Sequence, residues 1–189
     1  MSPAGTVLPA VALTLAVATH VSFVWAIRRF FVAPGEPQAG MRAIAGLGAA
    51  SALLQLAALS WRVATPLPFG PFQAVGLALF VVALSLFWAA VWANRPKPLT
   101  LAFSADTPQH LVAWGPYRRI RHPFYTAYLA AWIAGAFSAG APELLLTAVA
   151  MGMLYVRAAR SEEAKFARSP LANEYAAYRR RTGMFWPAR

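Results

Sequence analysis

Residues 115–128 read GPYRRIRHPFYTAY, a basic and aromatic cluster set directly against an apolar run. Pro123 predicts a helix start, because its missing N–H is one of the orphan donors of a first turn anyway. His122 then falls at the N-cap, with Tyr125 on the same face one turn in. Behind them the chain stays apolar from Ala127 to Phe137. Arg118, Arg119 and Arg121 therefore crowd the positive end of a helix dipole, a place that suits an anion. The same arginines also suit the aqueous anchor of a membrane helix, so the cluster alone leaves both readings open.

Outward from this stretch, the 189 residues are 59% hydrophobic and only 12% charged. A soluble domain carries roughly 25% charged residues, and apolar blocks of spanning length recur here, so the chain reads as a polytopic membrane protein. The +11 net charge does not indicate a nucleic-acid partner, because the basic residues sit between apolar blocks and not on one patterned face. The absence of cysteine excludes a disulfide framework, a thiolate nucleophile and a cysteine metal site. His20, His110 and His122 are too widely spaced to form a local metal motif, so no metal is expected.

The expected fold is an all-α membrane protein with about five transmembrane helices. Val7–Ile27 is the first. It lacks a basic n-region and is too long for a signal peptide, so it is expected to stay as a span. His20 within it reads as a neutral histidine facing the bundle, although an ionisable group at such depth is also a functional candidate. An irregular connector over residues 30–42 leads to a second span, Ala43–Leu59, whose Ala, Gly and Ser favour close packing. Trp61 and Arg62 mark its interfacial end. The third span runs over residues 72–93. A polar stretch, 94–121, follows; its segment 99–114 reads as a loop carrying Asp106 and His110. Pro123–Ser138 forms the fourth helix. After the AGAP turn a fifth starts near Glu143 and continues past Arg157, Arg160, Glu162 and Glu163 into the aqueous layer, until Ser169-Pro170 ends it. The tail adds a short helix with Tyr175 and Tyr178. Trp186 and Pro187 read as a packing anchor.

An external N-terminus and a cytoplasmic C-terminus put every one of the 17 basic residues except Arg62 on the cytoplasmic side, as the positive-inside rule requires. The polar segments 94–122 and 157–189 then share one side of the membrane, where a common site can form. The chain is expected to be one domain, 1–189, with a three-helix part (1–93) and a motif-bearing part (94–189).

Those two segments carry a resemblance. LVAWGPYRRIRHPFY, followed by EEAKF and LANEYAAYRRRTGMFWP, resembles the isoprenylcysteine carboxyl methyltransferase family and its phospholipid methyltransferase relatives. The family pattern is roughly LV-x-x-G-x-Y-x-x-x-RHP-x-Y, then EE-x-x-L, then FG-x-x-Y-x-x-Y. The match covers the C-terminal part of the chain, and the first three helices resemble the family only as hydrophobic spans. The resemblance implies methyl transfer from S-adenosylmethionine, with S-adenosylhomocysteine as product, to a lipophilic or membrane-associated acceptor such as an isoprenylcysteine carboxylate, a lipid amine or a small thiol or amine. It implies a cytoplasmic cofactor pocket closed by the C-terminal helical segment. Carried across residue by residue, the cofactor contacts fall on His110, Leu111, Val112, Tyr117, His122, Pro123, Phe124, Tyr125 and Glu162. A helix N-terminus and arginines suit the cofactor carboxylate, tyrosine faces suit its sulfonium, and a carboxylate suits its ribose hydroxyls.

The chain departs from the pattern in several places. Leu171-Ala172 replaces Phe-Gly, with one extra residue between Phe166 and Leu171, and Ala127 stands where glycine is common. Ala158 occupies the position of an arginine that meets the substrate carboxylate in the prenylcysteine enzymes, leaving Arg157 and Arg160 beside it as candidates. Glu163 is a further catalytic candidate, and His110, Glu162 and Glu163 are candidate bases. An ionised carboxylate acceptor needs none, whereas an amine or thiol must lose a proton. Glu163 stands three residues after Arg160 and also reads as an ordinary ion pair on an exposed helix end. An apolar acceptor is expected to enter by a gap between the fourth and fifth helices. Two other classes stay open: a sterol-type membrane reductase using NADPH, and a non-enzymatic scaffold whose basic cluster holds anionic lipid.

Overall fold

A computed structural model describes residues 4–31, 38–65, 67–95, 97, 99–100, 103 and 107–188. Among them the chain forms six α-helices: α1 (Ala4–Arg29), α2 (Ala39–Ala64), α3 (Pro71–Asn94), α4 (Pro123–Ala139), α5 (Leu145–Ala167) and α6 (Ala172–Arg181). Short 3-10 turns, Gly115–Arg118 and Pro142–Leu144, precede α4 and α5. No strand is present among the described residues. Much of the 30–42 connector, and Asp106, lie outside them.

The helix boundaries follow from the punctuation. Pro71 and Pro123 each occupy a first helical position, and Gly140 ends α4 at φ 66°, a conformation open to glycine. α2 begins four residues earlier than Ala43 and continues to Ala64, because nothing between Ala39 and Ala64 breaks a helix. Trp61 and Arg62 therefore lie inside it. Arg62 is buried, and its Nη2 donates to the Pro68 carbonyl at 2.5 Å.

α1, α2, α3 and the helical stretch Pro142–Ala167 are long and apolar enough to cross a membrane. The chain is thus an integral membrane protein, with large apolar side chains such as Leu53, Phe72, Leu146 and Val149 exposed on its outer faces. α4 has 17 residues, about 26 Å of helix. It is enclosed along most of its length by the others, with Ala127, Ala131, Ala134, Gly135 and Ser138 buried. α3 is its principal neighbour. Gly76 of α3 makes that approach close: a Cβ there would lie 2.5 Å from the Ser138 nitrogen and 2.7 Å from the Ala134 carbonyl. Small residues thus bring the backbones together where lipid supplies no hydrophobic drive.

One core joins α1, α3 and α4 through Ala16, Phe80, Phe87, Ala127 and Ala131. A second joins α4 and α5 through Trp132, Met151 and Tyr155. The site lies where these cores meet.

Candidate active site

At the head of α4, the His122 backbone is non-helical (φ −124°, ψ 63°), and its carbonyl accepts the Thr126 N–H at 3.1 Å. The expected N-cap position is therefore correct. The imidazole does not cap the helix. It turns to α5, with Nδ1 3.4 Å from Glu162 Oε2 and Nε2 3.3 Å from Glu163 Oε1. Burial opposes a charge on His122, but the two carboxylates outweigh it and hold its pKa above the ordinary imidazole value. Tyr125, one turn on, stacks with His122 at 5.7 Å and donates its hydroxyl to Glu162 Oε1 at 2.5 Å.

Arg121 is committed elsewhere than expected. Its Nε donates to Glu163 Oε1 at 2.8 Å with both side chains buried, and its Nη1 donates to the Thr182 carbonyl. The anion at this helix head is thus the protein's own Glu163. Arg118 and Arg119 are exposed. Glu163 pairs with Arg121, His122 and Arg179, so its carboxylate is turned inward and not toward Arg160.

The segment after α6 straps this region. Residues Ile120 and Gly183 form a parallel bridge. Arg121 N–H donates to the Gly183 carbonyl at 2.8 Å, His122 N–H to Met184 at 3.1 Å, and Thr126 Oγ1 to Phe185 at 2.9 Å. The Phe185 ring meets His122 and Tyr125 edge-on. Trp186, in contrast, is 70% exposed and anchors nothing with its side chain. Tyr175 and Tyr178 are buried, and Tyr178 donates to the Tyr117 carbonyl at 2.8 Å. The Tyr117 hydroxyl accepts from Asn94 Nδ2 at 2.8 Å, and burial keeps that phenol neutral by raising its pKa.

A cavity of about 580 Å³ opens from this cluster into the bundle. Its polar end is lined by His110, Tyr117, Arg121, His122, Tyr125 and Glu162, with Gln109 and Lys165 beside them. Its apolar arm runs between Phe23, Val24 and Ile27 of α1, Ile44 and Ala49 of α2, and Trp132 and Met151. Of the cofactor contacts expected from sequence, His110, Tyr117, His122, Pro123, Phe124, Tyr125 and Glu162 line this space. Leu111 and Val112 do not; Val112 packs against the α1–α3–α4 core. Arg157 and Arg160 are exposed and line a separate shallow groove with Gly152 and Met153, away from the cavity. Ala158 between them is fully buried. The apolar arm is walled by α1 and α2 as well as α4 and α5, a wider construction than the expected α4–α5 gap.

Several contributors escaped sequence reasoning. Tyr155 stacks on Tyr125 at 5.2 Å and accepts the Trp132 N–H at 3.1 Å. Its spacing of two helical turns from Glu162, and the Tyr125–Tyr128–Trp132 spacing on α4, are signals of one shared face. Asn94 and the carbonyls of residues 182–185 carry no such signal.

Apolar helices around a cavity with one polar end define a helical integral membrane protein with an internal cavity. Residues 72–172 match the phospholipid methyltransferase family, and the chain belongs to that family. It is a membrane methyltransferase by family, as the sequence motifs indicated. No curated protein matches the chain.

Proposed function

We propose that the chain transfers a methyl group from S-adenosylmethionine to a lipophilic acceptor and releases S-adenosylhomocysteine. The observation supporting this is one cavity with a polar, strapped end and an apolar arm, suited to a water-soluble and a lipid-soluble ligand together. S-adenosylmethionine supplies an electrophilic methyl group on a positively charged sulfur. The residues fit such a group. The faces of Tyr117 and Tyr125 suit a cation, Glu162 accepts from hydroxyls, and Lys165 brings positive charge. The His110 Nε2 atom is buried with no hydrogen-bond partner at this same end, so a ligand can complete it.

Tyr125 and His122 hold Glu162 in place, while Arg121 holds Glu163 and the strap. Phe185 and the aromatic walls exclude water. In this reading His110 or Glu162, both lining the cavity, takes the proton of an amine or thiol acceptor, and a carboxylate acceptor needs neither. Arg157, Arg160 and Glu163 are not assigned a catalytic role, since none lines the cavity.

The charge distribution supports five crossings with the N-terminus outside and the site at the cytoplasmic face, α4 serving as the enclosed fourth crossing. The shared cavity supports one domain for 1–93 and 94–189. Isothermal titration of purified protein with S-adenosylhomocysteine and with NADPH tests the proposal. Binding of the first and not the second is expected, and the reverse result would establish the reductase reading instead.

A further inference from the structure

His20 of α1 lines the apolar arm and lies outside the residues that match the family. Nδ1 of His20 stands 2.7 Å from the Ala16 carbonyl. A carbonyl only accepts, so Nδ1 carries the hydrogen, and in the neutral ring Nε2 keeps its lone pair. That Nε2 is shielded from solvent and has no hydrogen-bond partner. The ring is held at 5.3 Å edge-on to Trp132 and at 6.1 Å from Phe23. The Trp132 N–H is spent on Tyr155 and cannot satisfy it. Val24, Ala49, Ala52 and Met151 make the surrounding cavity wall apolar. An unpaired acceptor in such a wall is costly until a donor reaches it.

Depth decides what this acceptor can do. Trp132 lies seven residues beyond Tyr125 on α4, which places His20 about 10 Å inward from the polar end. A group at that distance does not handle the atom being methylated beside Tyr125. It reads a different part of the molecule. Resting on the methyl-transfer reading above, we infer that His20 selects an acceptor whose lipophilic body carries a hydroxyl or N–H donor about 10 Å from its reactive end. The N-terminal helices thereby supply acceptor specificity, while the family-matched residues supply the methyl-transfer end.

The test uses the full chain in detergent with ¹⁵N-labelled histidine, since only three histidines are present. The probes are 1-dodecanol and dodecane, equal in chain length and differing in one hydroxyl. Dodecanol should move the His20 Nε2 resonance to lower frequency, as hydrogen bonding does to an unprotonated ring nitrogen, and dodecane should leave it in place. The alcohol should bind about tenfold more tightly than the alkane, as one added hydrogen bond provides. That preference should vanish in His20→Phe and survive in part in His20→Gln, whose amide oxygen still accepts. Loss of the resonance in His20→Phe assigns it, and if that variant does not fold, His110→Asn and His122→Asn assign it by elimination. An equal response to both probes, or none, overturns the inference, including the case in which a trapped water already holds Nε2. S-adenosylhomocysteine added to the same sample should move the His122 resonances. Failure there overturns the methyl-transfer reading and leaves donor recognition at His20 to be judged by the alcohol and alkane.

Discussion

The Tyr125 hydroxyl donates to Glu162 Oε1 at 2.5 Å, tying the first turn of α4 to the aqueous end of α5 before any ligand arrives. Together with the His122 contact to Oε2, it fixes both oxygens of the carboxylate at the rim of the cavity. Such preorganisation lowers the ordering cost of a ligand that hydrogen-bonds there.

Glu162→Gln keeps the size of the side chain but removes a charged acceptor, a loss of roughly 1.5–3 kcal/mol. S-adenosylhomocysteine affinity should fall about ten- to hundredfold. Glu174→Gln, on the exposed side of α6, should leave affinity near wild type. Isothermal titration of the two variants side by side checks this, and equal affinities would remove Glu162 from the site.

Glu163→Ala leaves Arg121 without its buried carboxylate, and breaking such a pair costs about 3 kcal/mol or more. The expected result is a lower unfolding temperature and faster amide hydrogen exchange at residues 182–185, which Arg121 and its neighbours hold. Unchanged exchange in the strap would show that Glu163 does not support it.

The protonated form of His122 is favoured in the fold because Glu162 and Glu163 face its two nitrogens and outweigh burial. Its folded pKa lies above the ordinary 6.5, so its contribution to stability is fully present below about 6.5 and is lost as pH rises through the folded value. Thermal unfolding followed from pH 6 upward should show a falling component that His122→Asn removes. A variant with the same pH slope as wild type would assign that slope to another group.

Gly76→Ala forces a Cβ against the backbone of Ser138 and Ala134, which cannot rotate away as a side chain could. Overpacking of this kind costs about 1–3 kcal/mol. Chemical or thermal unfolding in detergent should detect it, while Gly46→Ala, where nothing lies within 4 Å of the added carbon, should be neutral or slightly stabilising.

Reporter fusions check the proposed crossings. One attached after Arg189 should read cytoplasmic and one at the N-terminus external. Both on the same side would require an even number of crossings.

The helices were legible because lipid demands long apolar runs, and Pro71, Pro123 and Gly140 mark their limits. The shared face of His122 and Tyr125 was legible through spacing, and the nearness of Glu162 to them through resemblance. The inward turn of Glu163 was not, since its Arg121 partner lies 42 positions away and only the fold brings them together. The placement of Arg157 and Arg160 was not legible for a related reason. Proximity in sequence to Ala158 placed them near the site, but 100° per residue carries their side chains to the outer face of α5. The strap was invisible because its bonds are made by backbone carbonyls, which every residue owns.

The bridge between Ile120 and Gly183 also sets a timetable. The four helices long and apolar enough to cross a membrane can enter the bilayer as they leave the ribosome, yet the rim around His122 lacks its Met184 and Phe185 partners until those residues have been translated and have emerged. A nascent chain halted after Arg181 carries the membrane helices and both glutamates but an open, unstrapped rim. Strapping of this rim therefore follows translation of all the membrane helices, and the growing chain passes through the membrane machinery with the rim still open.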